Sequence, residues 1–175
     1  MSFANNQVFG DDITVTYGSA VYPLGTERLV LGSQSGVGDQ VWVFVYNSSG
    51  GAIAANTLVR HATTSAQGTV SGAGTGLNPS YLVGITQHAI PGVTTTSSSG
   101  VVLSGPYGWV LKQGVCTATV TASYTRDQAL IVSAGTAGAV DTVTTAATMT
   151  FGYGLGVSSG GAGVAGTAQV YISIQ

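Results

Sequence analysis

Apolar and polar positions alternate most clearly between residues 115 and 124. One face of this stretch carries a small or apolar side chain at every second position: Cys116, Ala118, Val120, Ala122 and Tyr124. A period of two in a segment rich in β-branched residues is typical of a strand with one face on a core. A strand around Trp109 is expected before it, ending in a turn at Gln113 and Gly114, and another strand is expected at 130–132. The region therefore predicts a β-meander.

The most apolar run lies at 41–46, where aromatic residues on one face alternate with valines on the other. A strand that is apolar on both faces is covered on both sides, by its own fold or by a neighbouring subunit. Trp42 and Trp109 both lie in apolar runs and are expected in the core rather than on a sugar-binding surface. Shorter strand patterns occur near 13–17, 27–31, 57–60, 81–86, 143–151 and 169–174.

Segments rich in glycine, serine and threonine separate these patterns, with a hairpin turn expected at 47–51 and surface loops at 63–76 and 92–100. No window of 11–18 residues carries an uninterrupted helical apolar stripe. The chain is therefore predicted to be all-β, a single sandwich or barrel of about ten short strands.

A faint internal repeat runs through the chain. Leu58 and Leu130, 72 residues apart, occupy similar contexts, and the same spacing brings Gly84 onto Gly156. Two Trp-Val strands, whose tryptophans are 67 residues apart, would open the two copies. This pattern predicts two pseudo-repeated halves, and chance similarity in a biased composition is the competing interpretation.

The first twelve residues show no strand pattern, so an extended N-terminal arm over 1–12 is expected before a single β domain over 13–175. The arm carries three isolated apolar residues, Phe3, Val8 and Phe9. Each can contribute about 1.5–3 kcal/mol when buried, whereas ordering the backbone costs about 1–2 kcal/mol per residue. We therefore expect these three residues to contact a partner. An arm that folds onto its own domain is the alternative.

Charge is scarce in this chain. Charged residues make up 6% of the sequence and 27 residues are glycine, whereas about 25% charged residues are usual. A surface with so little charge is expected to face another protein, or to be covered by threonine, serine and glycine. The net charge of −2, without clustered lysine or arginine, argues against nucleic acid as a partner. No apolar run is long enough for a membrane-spanning helix.

The N-terminus lacks the features of a signal peptide, and the single cysteine fits synthesis in a reducing cytoplasm. Cys116, on the apolar face of its strand, is expected to be an inert core residue. His61 and His88 lie at predicted strand ends without the companion ligands that metal sites use. Asp127 and Asp141 could pair as in glycosidases, but turn residues are the favoured interpretation. With no nucleophile–base set and no phosphate loop, we expect neither an enzyme nor a cofactor.

Four segments rich in glycine and apolar residues form a series at 82–91, 107–115, 129–140 and 154–157. Together they resemble the small decoration (cement) proteins of tailed-bacteriophage heads. The resemblance covers roughly residues 80–175 and more loosely 40–80, while the first forty residues do not match. It implies a small, β-rich, often trimeric structural protein without catalytic activity. Such proteins sit on the outer capsid surface of the virion and clamp neighbouring major capsid subunits.

On this resemblance, the partners of the arm residues Phe3, Val8 and Phe9 are the major capsid protein or a second copy of the chain, and a homotrimer is expected. The alternative function is a β-rich receptor- or carbohydrate-binding module of a head or tail fibre. Such a module needs exposed aromatic residues. A third class, an enzyme such as a cell-wall hydrolase, lacks its acid/base pair.

Overall fold

The computed structural model describes residues 12–32, 37–62, 68–74, 81–121, 127–142, 150–155 and 166–174. The elements in these ranges are β-strands, which confirms the all-β prediction. They are β1 (Glu27–Val30), β2 (Gln40–Asn47), β3 (Leu58–His61), β4 (Thr69–Gly72), β5 (Leu82–Ile85), β6 (Thr95–Thr96), β7 (Val102–Ser104), β8 (Tyr107–Val120), β9 (Ala129–Val132), β10 (Val140–Thr142), β11 (Gly152–Gly154) and β12 (Gly166–Ser173). Phe3, Val8 and Phe9 of the predicted arm lie outside the described residues.

Ten of these strands form one sheet that closes on itself twice. The first barrel runs β2-β4-β3-β5-β8 and is closed by the pairing of β2 with the N-terminal part of β8. The second barrel runs β8-β10-β9-β11-β12 and is closed by the pairing of β12 with the C-terminal part of β8. Strand β1 adds to β2 outside the first barrel, and β6 and β7 form a separate hairpin. The long strand β8 therefore belongs to both barrels.

The two barrels have the same strand order and the same strand directions. Each begins with one parallel contact, β2 with β4 and β8 with β10, and its remaining contacts are antiparallel. The predicted pseudo-repeated halves are therefore present as two barrels of one topology. Leu58 and Leu130 lie in corresponding strands, β3 and β9, as the repeat predicted.

The two Trp-Val strands, β2 and β8, are the first strands of the two barrels, as the repeat predicted. Trp109 itself lies in the N-terminal part of β8, which also closes the first barrel, where it is opposite Phe44. The counterpart of β5 is β11, at 152–154. Gly156, which the repeat aligned with Gly84, lies outside the described residues. Corresponding strands are thus joined by connections of different length, which no single spacing can represent.

A β-bulge in β8 separates the part of the strand that belongs to the first barrel from the part that belongs to the second. The turn predicted at Gln113 and Gly114 was wrong, because β8 continues through both residues. Val41 pairs with Gln113 but Trp42 pairs with Leu111, so Lys112 is an extra residue on this strand. Gly114 adopts a φ of 124°, a region that favours glycine. The bulge shifts the alternation by one residue, and the buried positions after it are Cys116, Ala118 and Val120.

Two apolar clusters hold the barrels. The interior of the first barrel is aliphatic, with contributions from all five of its strands: Val43, Val45, Ile53, Val59, Val70, Val83, Ile90 and Val110. The second cluster joins the outer face of the first barrel, where Trp42 and Trp109 lie, to the interior of the second barrel. Both tryptophans are buried, which confirms their predicted place in the core. Because β2 is covered on both faces within its own chain, its apolar character gives no support to self-association.

Several predicted strands and loops were wrong where the apolar pattern rested on only a few residues. Residues 13–17 form only an isolated bridge, between Tyr17 and Tyr107, because Asp12 turns the chain by accepting hydrogen bonds from Thr14. The loop expected at 63–76 contains β4, and the loop expected at 92–100 contains β6. The turn after β2 is present, but it leads to β3, which does not pair with β2. Most of the strand expected at 143–151 lies outside the described residues, and β10 and β11 lie on either side of 143–149.

Candidate functional site

The residues considered as catalytic or metal-binding candidates do not form a cluster among the described residues. Within the described ranges no group of three or more His, Cys, Asp or Glu side chains is placed to hold a metal ion. His61 ends β3, and Asp127 lies in a turn with a φ of 68°. The carboxylate of Asp141 accepts the backbone N–H of Thr142 at 2.8 Å. Burial raises the pKa of the Cys116 thiol to about 12, as expected for an inert core residue.

In the part of the chain that the structure describes, no helix has the length and apolar character needed to cross a bilayer.

A small cavity of about 170 Å³ opens at the end of the first barrel. Val43, His61 and Lys112 line it, together with two residues of β5, one of β1 and two glycines outside the strands: Leu82, Val83, Glu27, Gly25 and Gly68. Its charged groups already satisfy each other, since Lys112 Nζ lies 2.7 Å from Glu27 Oε1. Small-molecule sites usually enclose about 300–1,000 Å³. This cavity is therefore a poor candidate for a substrate site.

The hairpin of β6 and β7 is the better candidate, because it exposes aliphatic side chains to solvent. Four residues in it or beside it are between 50% and 64% exposed: Val93, Val101, Val102 and Leu103. We call residues 93–104 the apolar hairpin. Single exposed apolar residues are ordinary, but a contiguous set marks an interaction surface. The surface is also uncharged, since 61–111 contain no Asp, Glu, Lys or Arg.

Local hydrogen bonds and close packing hold the hairpin in place. The Ser97 N–H donates to Val101 O at 2.8 Å, and Gly100, with a φ of 81°, donates to Ser97 O. A two-stranded hairpin is marginal by itself, and here its base is fixed against Gly18. Thr94 Oγ1 donates to Gly18 O at 3.2 Å, and a Cβ at Gly18 would lie 2.7 Å from Val102 Cγ1. Glycine at this position therefore lets the hairpin pack closely on the N-terminal segment.

The described chain begins near this hairpin. Tyr17 exchanges backbone hydrogen bonds of 2.8 and 3.2 Å with Tyr107, which fixes the segment before Gly18. Asp12 is six residues from Gly18, so at most ~20 Å separates the end of the predicted arm from the hairpin base. The pKa of Asp12 is held below its ordinary value by the hydrogen bonds from Thr14. The first described residue, Asp12, therefore lies within reach of the apolar hairpin.

The sequence interpretation missed the apolar hairpin. Residues 92–100 were expected to form a surface loop, and no strand was predicted for the three aliphatic residues that follow, Val101, Val102 and Leu103. The sequence signal that could have revealed this surface is a run of three aliphatic residues, too short to show the alternation of a strand. It lies within 51 consecutive residues that contain no Asp, Glu, Lys or Arg.

A solved structure resembles the fold of this chain. No family model matches the chain, and no curated protein matches it. Among solved structures, the N-terminal base of the head fibre protein gp8.5 of bacteriophage phi29 is similar, with a TM-score of 0.49 and 13% sequence identity. The match covers 78% of this chain and 96% of that phage chain.

Proposed function

We propose that the protein is a non-enzymatic structural protein of a bacteriophage head. It binds the outer surface of the capsid and stabilises it by clamping neighbouring major capsid subunits. It assembles as a homotrimer, is made in the host cytoplasm, and uses neither a cofactor nor a nucleic-acid or membrane partner. The resemblance of residues 80–175 to decoration proteins supports this proposal, as does the low charge of the chain.

The observation that carries the proposal is the apolar hairpin. Its exposed side chains are of the kind that contribute about 1.5–3 kcal/mol each when fully buried. Association itself costs about 4–15 kcal/mol, so a hairpin of this size gives one copy a modest affinity. A capsid lattice removes that limit, because linked copies bind with far greater avidity than single ones. An uncharged contact also makes binding insensitive to salt.

The predicted arm provides a second contact in this proposal. Phe3, Val8 and Phe9 precede a chain segment that packs against the hairpin base at Gly18. The arm and the hairpin can therefore reach adjacent parts of one capsid surface. Two contacts on neighbouring subunits are what clamping requires.

Co-sedimentation with assembled heads that lack the protein tests this function. A double variant, Val101→Thr with Leu103→Gln, removes apolar surface from the hairpin without touching the core. The matched control, Val37→Thr with Leu29→Gln, changes the same two residue types at other exposed positions. Wild type and control should pellet with heads, and the hairpin variant should bind at least about tenfold more weakly, a loss of 1.4 kcal/mol. Equal binding by both variants, or no pelleting of the wild type, would overturn the proposal.

The trimer is tested separately by light scattering. The expected mass is three times that of the 17.4-kDa chain. A monomer mass throughout the micromolar range, with no trimers on heads, would remove this part of the proposal.

A further inference from the structure

The outer face of the second barrel carries two stacked tyrosines. Tyr153 of β11 and Tyr171 of β12 are directly opposite each other in the strand pairing. Their ring centroids lie 5.0 Å apart with 20° between the ring planes. Tyr153 is 40% exposed, and the Gln113 amide donates to the Tyr171 hydroxyl at 3.3 Å. An aromatic pair with an attached hydrogen-bonding group therefore lies at the surface.

Among the described residues, the neighbour of Tyr153 on the side away from Tyr171 is small. The residue paired with Tyr153 on β9 is Ala129. Its methyl group leaves part of the ring open, in keeping with the 40% exposure of Tyr153. The face of an aromatic ring is electron-rich and attracts weakly positive C–H groups. A sugar ring, which presents a face of C–H groups, fits such a platform.

The polar groups on the Tyr171 side of the pair are neutral. Strand β12 alternates between buried residues and outward ones, and its outward residues include Tyr171 and Ser173. Opposite them on β8 are Val115 and Gln113. Residues 113–121, 150–155 and 166–174 contain no charged side chain, and on the Tyr153 side Asp127 donates its backbone N–H to Gly154 O at 2.9 Å. Amide, hydroxyl and carboxylate groups all match the hydroxyls of a neutral sugar, whereas a phosphate would find no positive charge in these ranges.

We propose that this face, centred on Tyr153 and Tyr171, binds a neutral carbohydrate. One sugar ring stacks on Tyr153, and its hydroxyl groups exchange hydrogen bonds with Gln113 and the Tyr171 hydroxyl. This activity goes beyond capsid binding and is independent of it, because it uses the second barrel and leaves the apolar hairpin free. A protein carried on a capsid exterior with such a site would attach the particle to neutral surface glycans.

The test uses the full chain on an array of immobilised glycans that includes maltohexaose, N-acetylglucosamine trimer and sialyllactose, followed by calorimetry of the strongest neutral ligand. We expect binding to a neutral oligosaccharide in preference to sialyllactose. Tyr153→Ala should weaken it about tenfold, the loss that corresponds to one stacking contact. Tyr153→Phe should retain it, because phenylalanine keeps the ring.

Tyr81→Ala is the matched control, because Tyr81 is 45% exposed and makes no ring contact among the described residues. Its binding should equal that of wild type, and melting curves should show that all variants are folded. The proposal is overturned if no neutral oligosaccharide binds, or if Tyr153→Ala binds like Tyr81→Ala. It is equally overturned if Tyr153→Ala lowers the mass in light scattering instead, since the pair would then be a subunit contact.

Discussion

The two barrels share a topology but differ in what lies on their outer faces. The outer face of the first barrel is aromatic, and residues of the N-terminal segment cover it. Tyr22 packs 5.5 Å from Phe44 and 5.4 Å from Trp109, measured between ring centroids. The outer face of the second barrel, which includes Thr117 and Tyr171, is only partly buried. The same strand order can therefore carry either an apolar or a partly polar outer face, provided that other residues of the chain cover the apolar one.

Both barrels have a glycine at the contact between their last two strands, β5 with β8 and β11 with β12. A Cβ at Gly84 of β5 would meet the Leu111 carbonyl oxygen on β8. A Cβ at Gly152 of β11 would meet the Tyr171 carbonyl oxygen on β12. These strands occupy the same place in the two barrels, so both barrels use a glycine where neighbouring backbones approach closely.

The largest expected effect is a difference in stability between substitutions on the outer faces of the two barrels. Trp109→Ala should lower the free energy of unfolding by about 3–5 kcal/mol, because it removes a large buried aromatic side chain. Tyr171→Ala should cost at most about 1 kcal/mol, the value of one cross-strand pair on a partly exposed face. Urea denaturation of both variants measures the difference. Equal losses would show that the two faces are covered alike.

The glycines at these two strand contacts give the next largest expected effect on stability. Gly84→Ala and Gly152→Ala should each destabilise by about 1–3 kcal/mol, because the added methyl group must displace backbone atoms. Gly72→Ala is the control, since no atom lies within 4 Å of its added Cβ, and its stability should be unchanged or up to ~1 kcal/mol higher. If only one of these two substitutions left the stability unchanged, the corresponding strand contacts of the two barrels would not be equivalent.

A pH effect is expected from the first barrel. Both ring nitrogens of His88 lack a hydrogen-bond partner among the described residues. Burial lowers the pKa of His88, and the charge of Asp12 opposes this only in part. The unfolded chain takes up this proton near the ordinary pKa of 6.5, whereas the folded chain resists it. Stability is therefore full above that pH and falls as the pH decreases below it.

Melting temperatures between pH 7.5 and 5 measure this effect, roughly the range in which histidines titrate. His88→Gln should flatten the decrease, and His61→Gln should leave it intact. A decrease that persists in His88→Gln would assign the proton to another group.

The smallest effect concerns the thiol in the second barrel. Native protein should not react with a thiol reagent at neutral pH, because Cys116 is buried and the pKa of its thiol is raised to about 12. Protein in denaturant should react fully. Rapid labelling of the native protein would show that the second barrel opens readily, which the shared topology does not predict.

The sequence was sufficient where a pattern was long and local. Alternation after residue 115 predicted the buried Cys116 and Val120, and the two-sided apolar run predicted β2. Closure into barrels was not predictable in this way, because it depends on pairings such as that of Ile85 with Leu111, which are remote in the chain. Strand β4 was missed because only Val70 in it is strongly apolar.

The candidate site was less predictable than the fold. The apolar hairpin contains most of the segment that was expected to be a polar loop, and only the structure shows that its aliphatic side chains are exposed together. The Tyr153 pair depends on strand register, so the sequence alone did not bring the two rings together. For Phe3, Val8 and Phe9, partner contact remains a prediction that follows from the composition of the arm.

The central claim is that the apolar hairpin faces the capsid, and cryo-electron microscopy of heads saturated with the protein tests it most directly. The expected result is density on the outer surface of the shell, bridging neighbouring major capsid subunits, with residues 93–104 at the contact. Density in which the hairpin points into solvent, or heads without added density, would contradict it.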